Sequence, residues 1–168
     1  ATNPSAISRD GALVAVGNGA SPKIYQVATG ALVATLTGHT AAVTSLAFSA
    51  DGTRVVTGSL DDTARIWNAA TGALVATLAH GVDVNDVAVA AVGDRFATAG
   101  ADGKARLWVL STGASAGQLD QGYPVGSVDY SADGAYLVTG DAGVSASRAA
   151  QAYLWNVATG ARLRGFNA

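Results

Sequence analysis

The sequence predicts an all-β chain built from four four-stranded antiparallel sheets laid head to tail, and three observations predict it. A Thr-Gly pair ending at Gly30, Gly72, Gly113 and Gly160 recurs at intervals of 42, 41 and 47 residues, the mark of a repeat architecture. Within each interval lie short runs rich in Val, Ile, Leu, Phe, Trp and Thr, closed off by Gly, Asp, Asn or Ser, as short strands and tight turns require. Charged residues make up 13% of the chain, against about a quarter in an ordinary soluble domain. With 21 Gly as well, each unit is expected to bury much of its surface against its neighbours.

The second copy, 38–78, is the best formed. Runs at 43–49, 54–59, 63–68 and 73–78 read as four strands. The first turn is Ser49-Ala50-Asp51-Gly52, where Asp bonds its own backbone and Gly supplies positive φ; the last is Ala70-Thr71-Gly72. These loops are too short for crossover helices, so the strands form one antiparallel meander. Alternation is weak: Thr44, Leu46 and Phe48 are expected on one side, but Val43, Ser45 and Ala47 opposite them are also small or apolar. A sheet of that kind wants cover on both faces, which a row of similar sheets supplies.

The other copies follow the same plan, so 1–168 is expected to be one four-sheet unit. The first, about 5–37, begins at its first strand, turns at Asp10-Gly11 and has Tyr25 where a Trp is expected. The third, about 79–119, matches the second at an offset of 41: His39 with His80, Thr57 with Thr98, Asp61 with Asp102, Trp67 with Trp108. The fourth, about 120–168, has Ser131-Ala132-Asp133-Gly134 and Trp155, with its extra length between second and third strands at 141–151.

The period, the Gly38-His39 opening and the Trp-terminated third strand resemble the WD40 repeats of β-propellers, over essentially the whole chain. Departures are plain: the dipeptide naming the family is Trp67-Asn68, Trp108-Val109 and Trp155-Asn156 here, the first copy lacks a Gly-His, and Gln121 stands where the fourth would have His. The resemblance implies a buried hydrogen-bonded network of His, Thr, Asp and Trp in each full repeat. By position these are His39, Thr57, Asp61 and Trp67, then His80, Thr98, Asp102 and Trp108. Such a network stabilises only when every buried donor and acceptor is matched, which explains why the four types travel together.

A catalytic Ser/His/Asp reading draws on the same residues and is set aside, because both His in the chain occupy the structural position. No catalytic, cofactor-binding or metal site is expected. Asp61-Asp62 reads as a solvated turn rather than a metal pair, since no Asp-x-Asp-x-Asp loop or His/Cys cluster accompanies it. The Gly-rich turns Gly17-Asn18-Gly19 and Ala99-Gly100 open no helix and so cradle no phosphate. Trp67, Trp108, Trp155 and Tyr25, one per repeat, are expected in the core. A net charge of −2 without a basic stripe argues against nucleic acid and anionic membrane as partners. No apolar run nears the roughly 20 residues of a spanning helix, so a soluble chain is expected. With no Cys there is no disulfide framework, and the redox compartment is unreadable. The absence of Met, with a start at Ala1, fits initiator removal, signal cleavage or engineering alike.

Four repeats are too few for the seven or eight wedges common in the family that the chain resembles. The end copies offer Ile7, Leu13, Val14 and Val16, and Val128, Tyr130, Leu137, Val138 and Leu154, without the polar outer face that a terminal repeat needs. A half-propeller closed by a second identical chain into an eight-bladed homodimer is therefore expected; a fragment of a larger propeller and a closed four-bladed monomer are the alternatives. The resemblance further implies a noncatalytic scaffold for another protein or peptide, binding on a loop face that includes Leu60, Asp83, Ala101, Tyr123, Asp141 and Arg148. The remaining readings are an excised or engineered unit whose only role is self-assembly, and a small-ligand or hydrolytic propeller, for which no convergent polar groups stand out.

Overall fold

The computed structural model describes residues 3–142 and 151–167. Its sixteen strands form four four-stranded antiparallel sheets with neighbours in chain order, and no helix occurs among the described residues. The first sheet comprises β1 (Ser5–Ile7), β2 (Leu13–Val16), β3 (Lys23–Gln26) and β4 (Leu32–Thr35). The second comprises β5 (Val43–Phe48), β6 (Arg54–Ser59), β7 (Thr63–Asn68) and β8 (Leu74–Ala79). The third comprises β9 (Val84–Val89), β10 (Arg95–Gly100), β11 (Lys104–Val109) and β12 (Ser115–Asp120), and the fourth β13 (Val125–Tyr130), β14 (Tyr136–Asp141), β15 (Gln151–Asn156) and β16 (Arg162–Asn167). The chain divides into two compact units, Ala1–Val84 and Asn85–Ala168.

The turns form for the reasons their residues suggest. In the second sheet the Ser49 hydroxyl donates to Asp51 Oδ1 (2.6 Å), which also accepts from Thr53 N, while Arg54 N donates back to Ser49 Oγ. The same arrangement recurs at Ser8 and Asp10 and at Ser131 and Asp133. Hydrogen bonding from the Ser hydroxyl holds all three carboxyls below the usual range. The third sheet has Ala90 and Val92 at these places; there Asp94 accepts from Ser111 N (2.8 Å) and ties β10 to the opposite turn.

Two expectations need correction. Val43 does not lie opposite Leu46: both are buried in one cluster, with Phe48 packed against it, because a bulge at Thr44 lets Val43 face Ser59 and Ser45 face Gly58, shifting the alternation. Ala99 and Gly100 are not a turn but the end of β10, buried and paired in the sheet.

Each unit contains one joint between its two sheets, and both joints are built alike. In the first, Ala15, Ile24 and Leu36 of the leading sheet meet Val43, Leu46, Val55 and Trp67 of the following one. In the second, Ala97, Leu107 and Leu119 meet Val125, Val128, Leu137, Tyr153 and Trp155. An aliphatic face of one sheet thus closes on the tryptophan face of the next. Fully burying one such Ile or Val removes it from water with a gain of about 1.5–3 kcal/mol. The turn at Gly72 sits so close to β4 that a Cβ there would lie 3.0 Å from Thr35 O, and its φ is +70°. Only Gly meets both demands. In the second unit side chains of β9 stitch the joint: Asn85 Nδ2 donates to Val125 O (2.7 Å), and Asp86 Oδ2 accepts from Val128 N (3.0 Å).

Candidate functional site

The second sheet brings His39, Thr57, Asp61 and Trp67 together. His39 precedes β5, Thr57 lies on β6, Asp61 in the turn after β6, and Trp67 on β7. Trp67 Nε1 donates to Thr57 Oγ1 (2.9 Å), Thr57 Oγ1 is 2.7 Å from His39 Nε2, and His39 Nδ1 is 2.7 Å from Asp61 Oδ2. The indole N–H can only donate, so the Thr57 oxygen accepts it and passes its own proton to His39 Nε2. His39 therefore carries its hydrogen on Nδ1 and donates it to Asp61. Burial holds the His39 pKa below its ordinary value, opposed by Asp61, so the ring is neutral.

Asp61 is the anion of the set. Its side chain is 3% exposed, yet its pKa falls to about 2: burial alone would raise it, but donors from Thr63 Oγ1 (2.6 Å), Thr40 N (3.0 Å) and His39 outweigh that. The solvated-turn expectation therefore fails for Asp61. Asp62 is the exposed member of the pair, in the left-handed region at φ 64°, and this lets Asp61 turn inward. Both ring nitrogens of His39 are engaged and the residue is 6% exposed, so the relay has no free site at which to take a substrate proton. Its chemistry is internal.

Arg65 and Gly38 complete the site, and sequence reasoning missed both. The Arg65 guanidinium lies 5.9 Å from the Trp67 ring centroid, and a Cβ on Gly38 would stand 2.3 Å from Arg65 Nη1 and 3.3 Å from Trp67 Cη2. The signal available was the Gly-His pair itself, whose Gly is explained by this crowding. Thr63 was also missed; an Asp followed two residues later by Thr is the local pattern that could have found it.

The other sheets vary the scheme. In the third, Trp108 Nε1 donates to Thr98 Oγ1 (2.9 Å), while the Asp102 carboxylate grips Arg106 in a two-point pair (2.7 and 3.2 Å) that is about one-fifth exposed. His80 is buried in the first unit, its backbone N–H bonded to Asp62 O. In the fourth, Trp155 donates to Thr139 Oγ1 (2.9 Å), and Gln121 donates from Nε2 to Tyr123 O and to Asp141 Oδ1, both at 3.0 Å. All three Trp are buried, while Tyr25 is only partly so.

The residues expected on a partner face fall in both units. Leu60 and Asp83 are exposed in the first; in the second Tyr123 is exposed and Ala101 partly so. Asp141 ends β14 and accepts from Gln121 and from Gln151 N (3.2 Å), so it braces the start of the long connection rather than standing open. Arg148 lies outside the described residues. Among the described residues no group of His, Cys, Asp or Glu could hold a metal ion.

Four-stranded sheets repeated along the chain, three of them sealed by an indole bonded to a Thr, define an all-β repeat protein whose recurring polar contact lies in the sheet interior. The family model "WD domain, G-beta repeat" matches residues 30–68 and 72–109, the stretches that hold the second sheet and most of the third repeat up to Trp108-Val109. Similar proteins are the Periodic tryptophan protein 2 homologs of Neurospora crassa (45% identical) and Schizosaccharomyces pombe (40%), each over 65 residues or 38% of this chain. Protein FIZZY-RELATED 2 of Arabidopsis thaliana is 49% identical over 45 residues, 27% of the chain. The matched stretches span 7%, 8% and 9% of those three relatives' own lengths.

Proposed function

We propose that this chain is a noncatalytic scaffold for protein–protein interaction that also self-associates as a half-propeller, with a second copy of itself and another protein or peptide as partners. The observation that carries the scaffold reading is the closed relay: the most reactive-looking residues, His39, Thr57 and Asp61, are consumed by one another in the interior. What remains for recognition is loop surface, and loops on a rigid frame are where binding residues concentrate. Leu60 in the first unit and Tyr123 in the second, 45% and 48% exposed, are the apolar anchors of this reading, and Asp83, Ala101, Asp141 and Arg148 are the other loop residues it assigns to recognition.

A displayed peptide library panned on the immobilised full chain tests this reading. Selected peptides should lose on the order of tenfold or more in affinity for a Leu60→Ala/Tyr123→Ala variant, as truncated interface anchors do. No enrichment of any peptide, or equal binding to the variant, would refute the scaffold face and leave self-assembly as the chain's role.

A further inference from the structure

Outside the two internal joints, the tryptophan-type face of the first sheet and the aliphatic-type face of the fourth stay open. On the fourth sheet, register places Val138, Leu154 and Phe166 where the third sheet has Ala97, Leu107 and Leu119. Those three counterparts are 0–2% exposed under the fourth sheet, whereas Val138 is 37% and Phe166 47% exposed. On the first sheet, Ile7, Val14 and Tyr25 stand where the second has Phe48, Val55 and Trp67. Val55 and Trp67 are fully buried, but Ile7 is 62% exposed and Val14 and Tyr25 only half-buried.

Each open face carries a depression of about 240 Å³. That on the fourth sheet is lined by Tyr130, Tyr136, Val138 and Leu154, with Asp129 and Ser131. That on the first is lined by Val16, Gly17 and Tyr25, with Asn3, Asn18 and Lys23. Asp129 and Lys23 are the charged members of the two linings, and their signs are opposite.

We propose that these faces are the two halves of one docking joint, the tryptophan face of the first sheet seating on the aliphatic face of the fourth sheet of a second copy of this chain. The occupant is argued from continuity: the same pairing of faces already closes both internal joints, and the opposite charges of Asp129 and Lys23 favour it over like-on-like stacking. Two copies form two such joints, each chain giving one face to each. At the position of Asn85 the fourth sheet has Gly126, so this joint lacks the Asn stitch seen in the second unit and relies on its apolar faces.

This inference rests on the self-association reading above, and the experiment separates the two. Sedimentation of the full chain at about 10 µM should give the mass of two chains. Val138→Asp/Phe166→Asp and Ile7→Asp change residues that are already more than a third exposed in the single chain. Each should sediment as one chain with unchanged circular dichroism, its dissociation constant raised on the order of 10,000-fold, about 100-fold for the unpaired carboxylate forced into each of its two apolar joints. Mixing the two variants restores one intact pair of faces, so a two-chain complex should return. It needs a concentration about 100-fold higher, because the second joint's avidity is lost. A single-chain mass for the unaltered chain overturns both readings. A two-chain mass that survives in the variants, or a mixture that stays single at high concentration, overturns the assigned faces while leaving self-association standing. Growth beyond two chains overturns the closed pair.

Discussion

Replacing Thr57 with Val puts the buried relay to a quantitative test. The substitution keeps the shape and deletes one hydroxyl, but that oxygen accepts from Trp67 Nε1 and faces His39 Nε2, in a residue with no exposure. Two buried polar groups are therefore stranded at once. At roughly 1–3 kcal/mol for each unsatisfied group, the loss is about 2–6 kcal/mol, a large share of the ~5–15 kcal/mol that holds a typical domain folded. A loss of about 3 kcal/mol lowers the melting temperature by roughly 6–12 °C for a chain of this size. Two controls bracket the reasoning. Thr57→Ser keeps the hydroxyl and loses a methyl, at about 1 kcal/mol. Thr139→Val, at the matching place in the fourth sheet, strands the Trp155 N–H (2.9 Å) but no His, since Gln121 stands there and bonds elsewhere, so about half the Thr57→Val loss is expected. Equilibrium urea unfolding followed by circular dichroism measures all three. If Thr57→Val costs no more than Thr57→Ser, or no more than Thr139→Val, the relay does not work as described.

Three further outcomes follow from the same geometry. Gly38→Ala should cost about 1–3 kcal/mol by overpacking against Arg65 and Trp67, and a double-mutant cycle with Arg65→Ala should return part of it, because the nearest clash is with that guanidinium. Asp61→Asn should cost about 1–3 kcal/mol, because a buried charge-assisted bond to His39 is weakened, whereas Asp102→Asn at the part-exposed pair with Arg106 should cost about 1 kcal/mol or less in the same melts. Stability should fall on acidification: His39, lowered by burial, leaves the folded chain short of a proton that the unfolded chain takes up as pH drops below 6.5, and Asp61, lowered from 3.8 to about 2, adds a second loss as pH falls from 3.8 towards 2. Urea midpoints from pH 7.5 down to 5 should show the first loss in the unaltered chain and a shallower slope in His39→Gln.

The strands were legible because each run is short, β-rich and closed by a turn whose chemistry is local: the Ser-x-Asp-Gly turns need only residues within five positions of one another. The bulge at Thr44 was not legible, since Val43, Thr44 and Ser45 fit either face and the phase is fixed by Ser59 and Gly58 across the sheet. The openness of the end faces follows the same rule in reverse. Val138 and Leu154 read as core residues, yet on the face they share Val138 is 37% exposed and Leu154 only half-buried.

The second and third repeats separate what spacing can reveal from what it cannot. Asp61 and Asp102 hold the same position, as do Arg65 and Arg106, so the sequence assigns them one role. In the second sheet Thr63 Oγ1 donates to Asp61 Oδ1 at 2.6 Å and holds the carboxylate towards His39, and the Arg65 guanidinium lies over Trp67. In the third, Lys104 occupies the Thr63 position and has no hydroxyl to give, and the carboxylate of Asp102 takes Arg106 in a two-point pair. The residue two places beyond the Asp, outside the four-residue motif, differs between the two sheets and is the one to test. Writing Thr at 104 should draw Asp102 away from Arg106, which a loss of the Asp102–Arg106 coupling energy in a double-mutant cycle on the Lys104→Thr background would register; an unchanged coupling would mean that the neighbouring Thr does not steer the carboxylate.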